Sequence, residues 1–123
     1  MRIGQIANEA GVTVDTVRFY ERVGVLAEPA RTESGYRDYE PGTVDRIRLT
    51  RELQAIGFTL GDAVDALAAH DAGGATCESE RWRLQAVLDR VDAQLAELAA
   101  LRGRIVAAQD ACVAGDCMFT SSN

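Results

Sequence analysis

From about Ser79 to Ala111 the apolar residues Leu84, Leu88, Val91, Leu95, Leu98 and Ile105 recur every three or four positions. That is the rhythm of a coiled-coil a/d seam. The stretch contains no proline and one glycine, Gly103, and Arg102 falls at a seam position near its end. At 1.5 Å per residue, the roughly 33 residues of the predicted helix span on the order of 50 Å. The first 25 residues carry a shorter pattern. Ile3, Ile6, Ala7 and Ala10 form one apolar face, and Gly11 ends that helix. Thr13 suits the N-cap of a second helix whose inner face holds Val14 and Val17, with Leu26 beyond it. The turn between them, Ala10-Gly11-Val12-Thr13, has the length a helix-turn-helix needs. Pro29 and the run Arg31 to Tyr39 then interrupt the helices with turn residues and alternating aromatics. Gly35 marks a hairpin tip there, and Tyr39 is expected to pack on the core. A third helix is predicted from near Pro41 to Gly57, and a fourth from near Thr59 to just before Gly73-Gly74.

At 123 residues the chain is expected to be one small domain with an extension. It shows no run of 18 apolar residues and no basic segment leading into an apolar one. Cytoplasmic residence, with no membrane partner, is the resulting expectation. The net charge of −6 argues against nucleic acid until its distribution is read. Residues 1–60 hold eight arginines against nine acids, and residues 61–123 hold five against ten, so the acid excess belongs to the C-terminal half. All basic residues are arginines, a side chain suited to bidentate phosphate and guanine contacts. Arg18, Tyr20 and Arg22 cluster on the second helix as candidate groove and phosphate contacts, with Thr13 at its start. Tyr36 and Arg37 flank the hairpin tip as candidate wing contacts.

Three cysteines remain: Cys77 before the long helix, Cys112 and Cys117 after it. In a reducing compartment they read as metal ligands or redox groups before disulfides. A continuous helix keeps Cys77 from the other two within one chain. A second copy running antiparallel brings them together, which predicts a homodimer with two thiol-rich sites across its interface.

The string from Ile3 to Leu26, with Arg18-Phe-Tyr-Glu-Arg22 and Gly24, resembles the opening of a MerR-family regulator. Ser34-Gly-Tyr-Arg37 with Tyr39, and Ile56-Gly-Phe-Thr-Leu60, are similar to the same family over about the first 70 residues, and the likeness continues into the long helix. The resemblance implies a mainly α fold: a winged helix-turn-helix DNA-binding head, a long dimerisation helix forming an antiparallel coiled coil, and a short metal-binding loop. The expected divisions are a head over 1–72, linker and helix over 73–111, and loop and tail over 112–123. It also implies binding to a dyad-symmetric double-stranded promoter with an overlong spacer, acting on RNA polymerase through promoter distortion. By that likeness Arg18 and Tyr20 serve the recognition helix and Tyr36 and Arg37 the wing.

Cys77, Cys112 and Cys117 match the cysteine pattern of the metal-responsive members, which implies a site of three thiolates shared between chains. Members sensing monovalent coinage metals carry serine at the first position, so Cys77 favours a divalent ion. Soft thiolates select mercury first, with zinc, cadmium or lead as the other candidates. The family loop between the last two cysteines holds seven or eight residues; here four intervene, Val113 to Asp116. Asp116 reads as a cap or a solvent-facing residue before it reads as an oxygen ligand, and Met118 reads as loop packing. His70, near a helix C-terminus, reads as a dipole partner rather than a ligand. Trp82 reads as a packing anchor. The alternative is a thiol redox sensor of the same fold, joining Cys112 to Cys117 by oxidation. An enzyme is not expected, because one histidine and no paired acid and base offer no chemistry on a substrate.

Overall fold

A computed structural model describes residues 1–116 and Phe119. Within them the element order is α1 (Ile3–Ala10), α2 (Val14–Arg22), β1 (Ala30–Arg31), β2 (Arg37–Asp38), α3 (Gly42–Ala55), α4 (Leu60–Asp71) and α5 (Cys77–Val113). The fold is mainly helical, as its hydrophobic rhythm predicts.

Local chemistry sets the boundaries. Gly11 closes α1 in the left-handed region at φ 71°, where a side chain would be strained. The Thr13 hydroxyl accepts from the Thr16 amide at 3.1 Å and starts α2. Thr59 and Asp62 exchange side-chain and backbone hydrogen bonds, a capping box that opens α4. Thr76 and Ser79 do the same for α5: the Ser79 amide donates to Thr76 Oγ1 at 3.0 Å and the Thr76 amide to Ser79 Oγ at 2.9 Å. This reciprocal cap moves the helix start back to Cys77 from the expected Ser79. At the other end the helix runs two residues past the expected Ala111, to Val113. Cys77 and Cys112 are thus the first residue and part of the last turn of α5, not residues flanking it.

The compact unit Met1–Arg83 buries one apolar cluster. Ile6, Ala7 and Ala10 of α1 meet Val17 and Tyr20 of α2, Val44 and Ile47 of α3, Leu67 of α4, and Val25, Leu26 and Tyr39 from the connecting segments. β1 and β2 pair antiparallel, Ala30 opposite Asp38 and Arg31 opposite Arg37. Gly35, at φ 85°, turns the hairpin tip. Two-residue strands are marginal alone, so the hairpin depends on anchors in the helical core. Tyr39, 3 % exposed, is the principal one.

The second unit, Leu84–Asn123, is described here through Asp116 and Phe119 and is dominated by α5. Its seam residues Leu84, Leu88, Val91, Leu95, Leu98 and Ile105 are all exposed. Val87 is the one buried residue of α5. No helix among the described residues is long and apolar enough to cross a membrane.

Candidate functional site

The head gathers its positive charge selectively. Four of its eight arginines bond to other elements of the head, Arg46 and Arg37 half-buried, Arg48 and Arg51 from the surface. Arg48 Nη2 donates to the Glu9 carbonyl at 2.7 Å and Arg51 Nη1 to the Gly11 carbonyl at 3.0 Å, so α3 caps the C-terminal end of α1. Arg46 donates twice to the Asp71 carboxylate, both at 2.8 Å, and again to the Val25 carbonyl. The Arg46 hydrogen bonds hold the Asp71 carboxyl below its ordinary range. Arg37 Nη1 lies 2.7 Å from Glu21 Oε2.

The remaining arginines, Arg2, Arg18, Arg22 and Arg31, are exposed. Arg2, Arg18 and Arg31 line one cleft together with Gln5, Tyr36 and Arg37. This cleft lies where the N-terminus of α1, the outer face of α2 and the wing meet. The first turn of α1 has no acidic residue, and its N-cap Arg2 makes no side-chain cap. Free backbone N–H groups there add to the arginines, a combination that receives phosphate oxygens. Arg2 stacks over the Tyr36 ring at 4.2 Å, and Arg31 braces the wing by donating to the Gly35 carbonyl at 2.9 Å.

Each expected contact residue has a definite place. Thr13 is exposed and caps α2. Arg18 is exposed, 4.0 Å from Asp15 on its own helix. Arg22 ends α2 with its guanidinium 5.8 Å from the Phe19 ring. Tyr36 is exposed on the wing. Tyr20 departs from the expectation: it is 6 % exposed, in the core, with its hydroxyl 3.4 Å from Gln54 Oε1. It lies three residues from Val17, on the inward face, whereas Arg18 and Arg22 are four apart on the outward face. The exposed aromatic of α2 is Phe19, which the sequence reading passed over. Arg37 also departs, because its charge is met by Glu21. Its guanidinium is held above its ordinary value by the Tyr39 hydrogen bond first and by Glu21 second.

Cys77 and Cys112 are both exposed at opposite ends of α5. Cys117 and Met118 lie outside the described residues. Asp116 is exposed, its amide donating to the Ala111 carbonyl at 2.8 Å as the chain turns at Gly115. His70, in the last turn of α4, is exposed, and so is Trp82, whose ring meets the Arg83 guanidinium at 4.5 Å. Trp82, expected as a packing anchor, is 59 % exposed. Among the described residues no three His, Cys, Asp or Glu side chains of one chain converge to hold a metal ion. The donor chemistry fits a thiophilic ion all the same: exposed thiols are soft ligands, and their separation asks for completion from a second chain.

A winged helix-turn-helix head with a cationic cleft, continued by one long helix, defines a DNA-binding regulatory protein rather than an enzyme. The chain belongs to the MerR helix-turn-helix family of regulatory proteins, whose pattern matches residues 1–70; the MerR DNA-binding family matches residues 44–108. A mercuric resistance operon regulatory protein of Bacillus cereus is 45 % identical over 76 residues, 62 % of this chain and 58 % of that protein. The transcriptional regulator ZntR of Escherichia coli is 33 % identical over 112 residues, covering 90 % of this chain and 79 % of that protein. The transcription regulator PbrR691 of Ralstonia metallidurans, solved in complex with lead(II), superposes with a TM-score of 0.81 at 32 % identity, over 90 % of this chain and 87 % of that one.

Proposed function

We propose that this chain is a metal-responsive transcriptional regulator that works as an antiparallel homodimer on double-stranded promoter DNA. One observation carries the reading: α5 leaves its apolar seam open to solvent and bears a thiol at each end. Such a seam calls for a helical partner. A second copy running the opposite way offers the same surface, as a two-fold interface requires. With Leu95 against the partner's Leu98 and Leu88 against the partner's Ile105, Cys77 falls opposite the stretch between the partner's Cys112 and Cys117. The register that pairs these four seam residues also gathers the thiols.

Cys77 of one chain, with Cys112 and Cys117 of the other, would hold the ion as three thiolates. Mercury(II) suits that donor set best, with zinc, cadmium and lead next. The Bacillus cereus relative is a mercuric resistance regulator and the Ralstonia protein was solved with lead(II), which supports a soft divalent ion here. When bound, the ion supplies a bridge between the two chains at each end of the coil. Gly115, at φ 88°, gives the short loop before Cys117 the sharp turn that convergence needs.

At the DNA end, α2 enters the major groove with Thr13, Arg18 and Arg22 toward bases and phosphates. Tyr20 supports that helix from beneath, and Tyr36 and Arg37 belong to the wing beside the phosphate-receiving cleft. Each chain of the dimer carries one head, so a change in head separation appears as bend or untwist in the DNA. Such deformation costs on the order of a few kcal/mol. The dimer supplies it through unequal affinity of its two arrangements for the ion. RNA polymerase then meets a realigned promoter.

Titration of the reduced protein with Hg(II), followed by thiolate-to-metal absorbance, tests the reading. About one ion per chain is expected, with loss of binding in Cys77→Ser and operator affinity within a fewfold of wild type. Loss of DNA binding in Cys112→Ser would overturn the separation of sensing from docking. A response to oxidant without any response to metal would establish the redox alternative instead.

A further inference from the structure

We infer that Glu21 is a positioning residue that locks the wing to the recognition helix, acting on DNA through Arg37 and Tyr39 without touching it. The inference rests on the DNA-binding reading and deepens it. Glu21 is the next-to-last residue of α2. An anion there opposes the helix dipole, and on a DNA-binding face it also repels phosphate. Neither local propensity nor nucleic-acid contact accounts for an acid at this place.

Its tertiary contacts do. The Glu21 side chain is 11 % exposed, and both carboxylate oxygens are used. Oε2 accepts from Arg37 Nη1 at 2.7 Å, and Oε1 accepts from the Tyr39 hydroxyl. Arg37 lies on β2 and Tyr39 immediately follows it, so one side chain of α2 grips the returning strand of the wing at two points. The hairpin has only two paired residues per strand and cannot hold its own orientation. The Met1 amine also holds this strand, 2.9 Å from Asp38 Oδ1 and from the Tyr39 carbonyl, but only Glu21 ties it to α2, so Arg31 and Tyr36 owe part of their placement relative to Arg18 to that grip. The carboxylate is mostly shielded while Arg37 stays half-exposed, so removing one partner costs more than breaking a fully exposed pair would.

Glu21→Gln separates this role from simple electrostatics, because the two predict opposite signs. Removing a negative charge beside DNA tightens binding if Glu21 only repels phosphate. Releasing the wing weakens it. The probe is a duplex selected from a random library by the wild-type dimer, with hydroxyl-radical footprints and affinities measured over a range of salt. The expected result for Glu21→Gln is an affinity about 3- to 10-fold lower, with protection lost at the flanking wing contacts and retained at the recognition-helix contacts. The salt dependence should fall by the equivalent of about one to two phosphates per head. The double variant Glu21→Gln/Arg37→Gln should bind no worse than Arg37→Gln alone, since both act on one link. Tyr39→Phe, which keeps the core ring, should give a milder loss of the same flank.

Unchanged or tighter binding with a complete footprint would overturn the inference. So would a uniform loss across the footprint with unchanged salt dependence, the mark of a destabilised head. A wild-type protein that selects no duplex would overturn the DNA-binding reading itself, and this inference with it.

Discussion

Replacing Leu95 and Leu98 together by alanine should convert the dimer to monomer at concentrations where the wild type is paired. The two side chains are 59 % and 62 % exposed in the single chain, so more than half of each surface awaits a partner. Burying a leucine fully contributes about 1.5–3 kcal/mol. Scaled to the exposed fraction and less the methyl group that alanine keeps, each position contributes about 0.5–1.3 kcal/mol in the dimer. Two-fold symmetry counts each position twice. The double variant therefore loses about 2–5 kcal/mol of association energy, roughly one and a half to four powers of ten in dissociation constant. Alanine is the strongest helix former, so α5 itself should persist. Sedimentation equilibrium across a concentration series gives the midpoint directly, with far-ultraviolet circular dichroism as the check on helix content. An unchanged midpoint with intact helix would refute the seam as the dimer interface. Replacing Leu49 by alanine, an exposed apolar residue of α3 outside the seam, should leave the midpoint where it was.

Two further outcomes follow from the head. Thr59→Ala removes half of the capping box of α4 and should lower stability by about 1 kcal/mol in urea denaturation, with DNA affinity unchanged in the folded protein. Asp71, held low by Arg46, contributes stability that is present above its unfolded value and lost as pH falls through its folded value. Asp71→Asn should therefore be less stable than wild type at neutral pH and approach it as the pH falls through the lowered value of the folded carboxyl, read as converging urea midpoints.

Much of this fold is legible in the sequence where one strong local signal stands alone. The three- and four-residue spacing of the α5 leucines, Gly11 at the helix turn and Gly35 at the hairpin tip each have one physical reading, and the structure follows them. The errors arise where two signals compete. Arg18, Tyr20 and Arg22 look alike as a basic and aromatic group, yet helical geometry sends Tyr20 inward beside Val17 and leaves Phe19 outside. The Thr76–Ser79 cap is present in the sequence as two hydroxyls three apart, but the two preceding glycines compete with it as a boundary signal. The fate of the arginines was not legible at all. Arg48 and Arg51 find carbonyls 39 and 40 positions away, and Arg37 finds Glu21 across the wing. Charge counting treats such residues as free; only the tertiary fold reveals which remain for a phosphate.

The sharing of a metal site between chains is tested most directly by crossing two defective subunits. Cys77→Ser and the double variant Cys112→Ser/Cys117→Ser should each fail, as homodimers, to bind Hg(II) through three thiolates. Their heterodimer, isolated with two different affinity tags, regains one complete set: Cys77 from one subunit, Cys112 and Cys117 from the other. Antiparallel pairing predicts the trigonal thiolate absorbance of one ion per heterodimer, with nothing from either parent. A heterodimer as silent as its parents would contradict the shared site and the subunit arrangement that creates it.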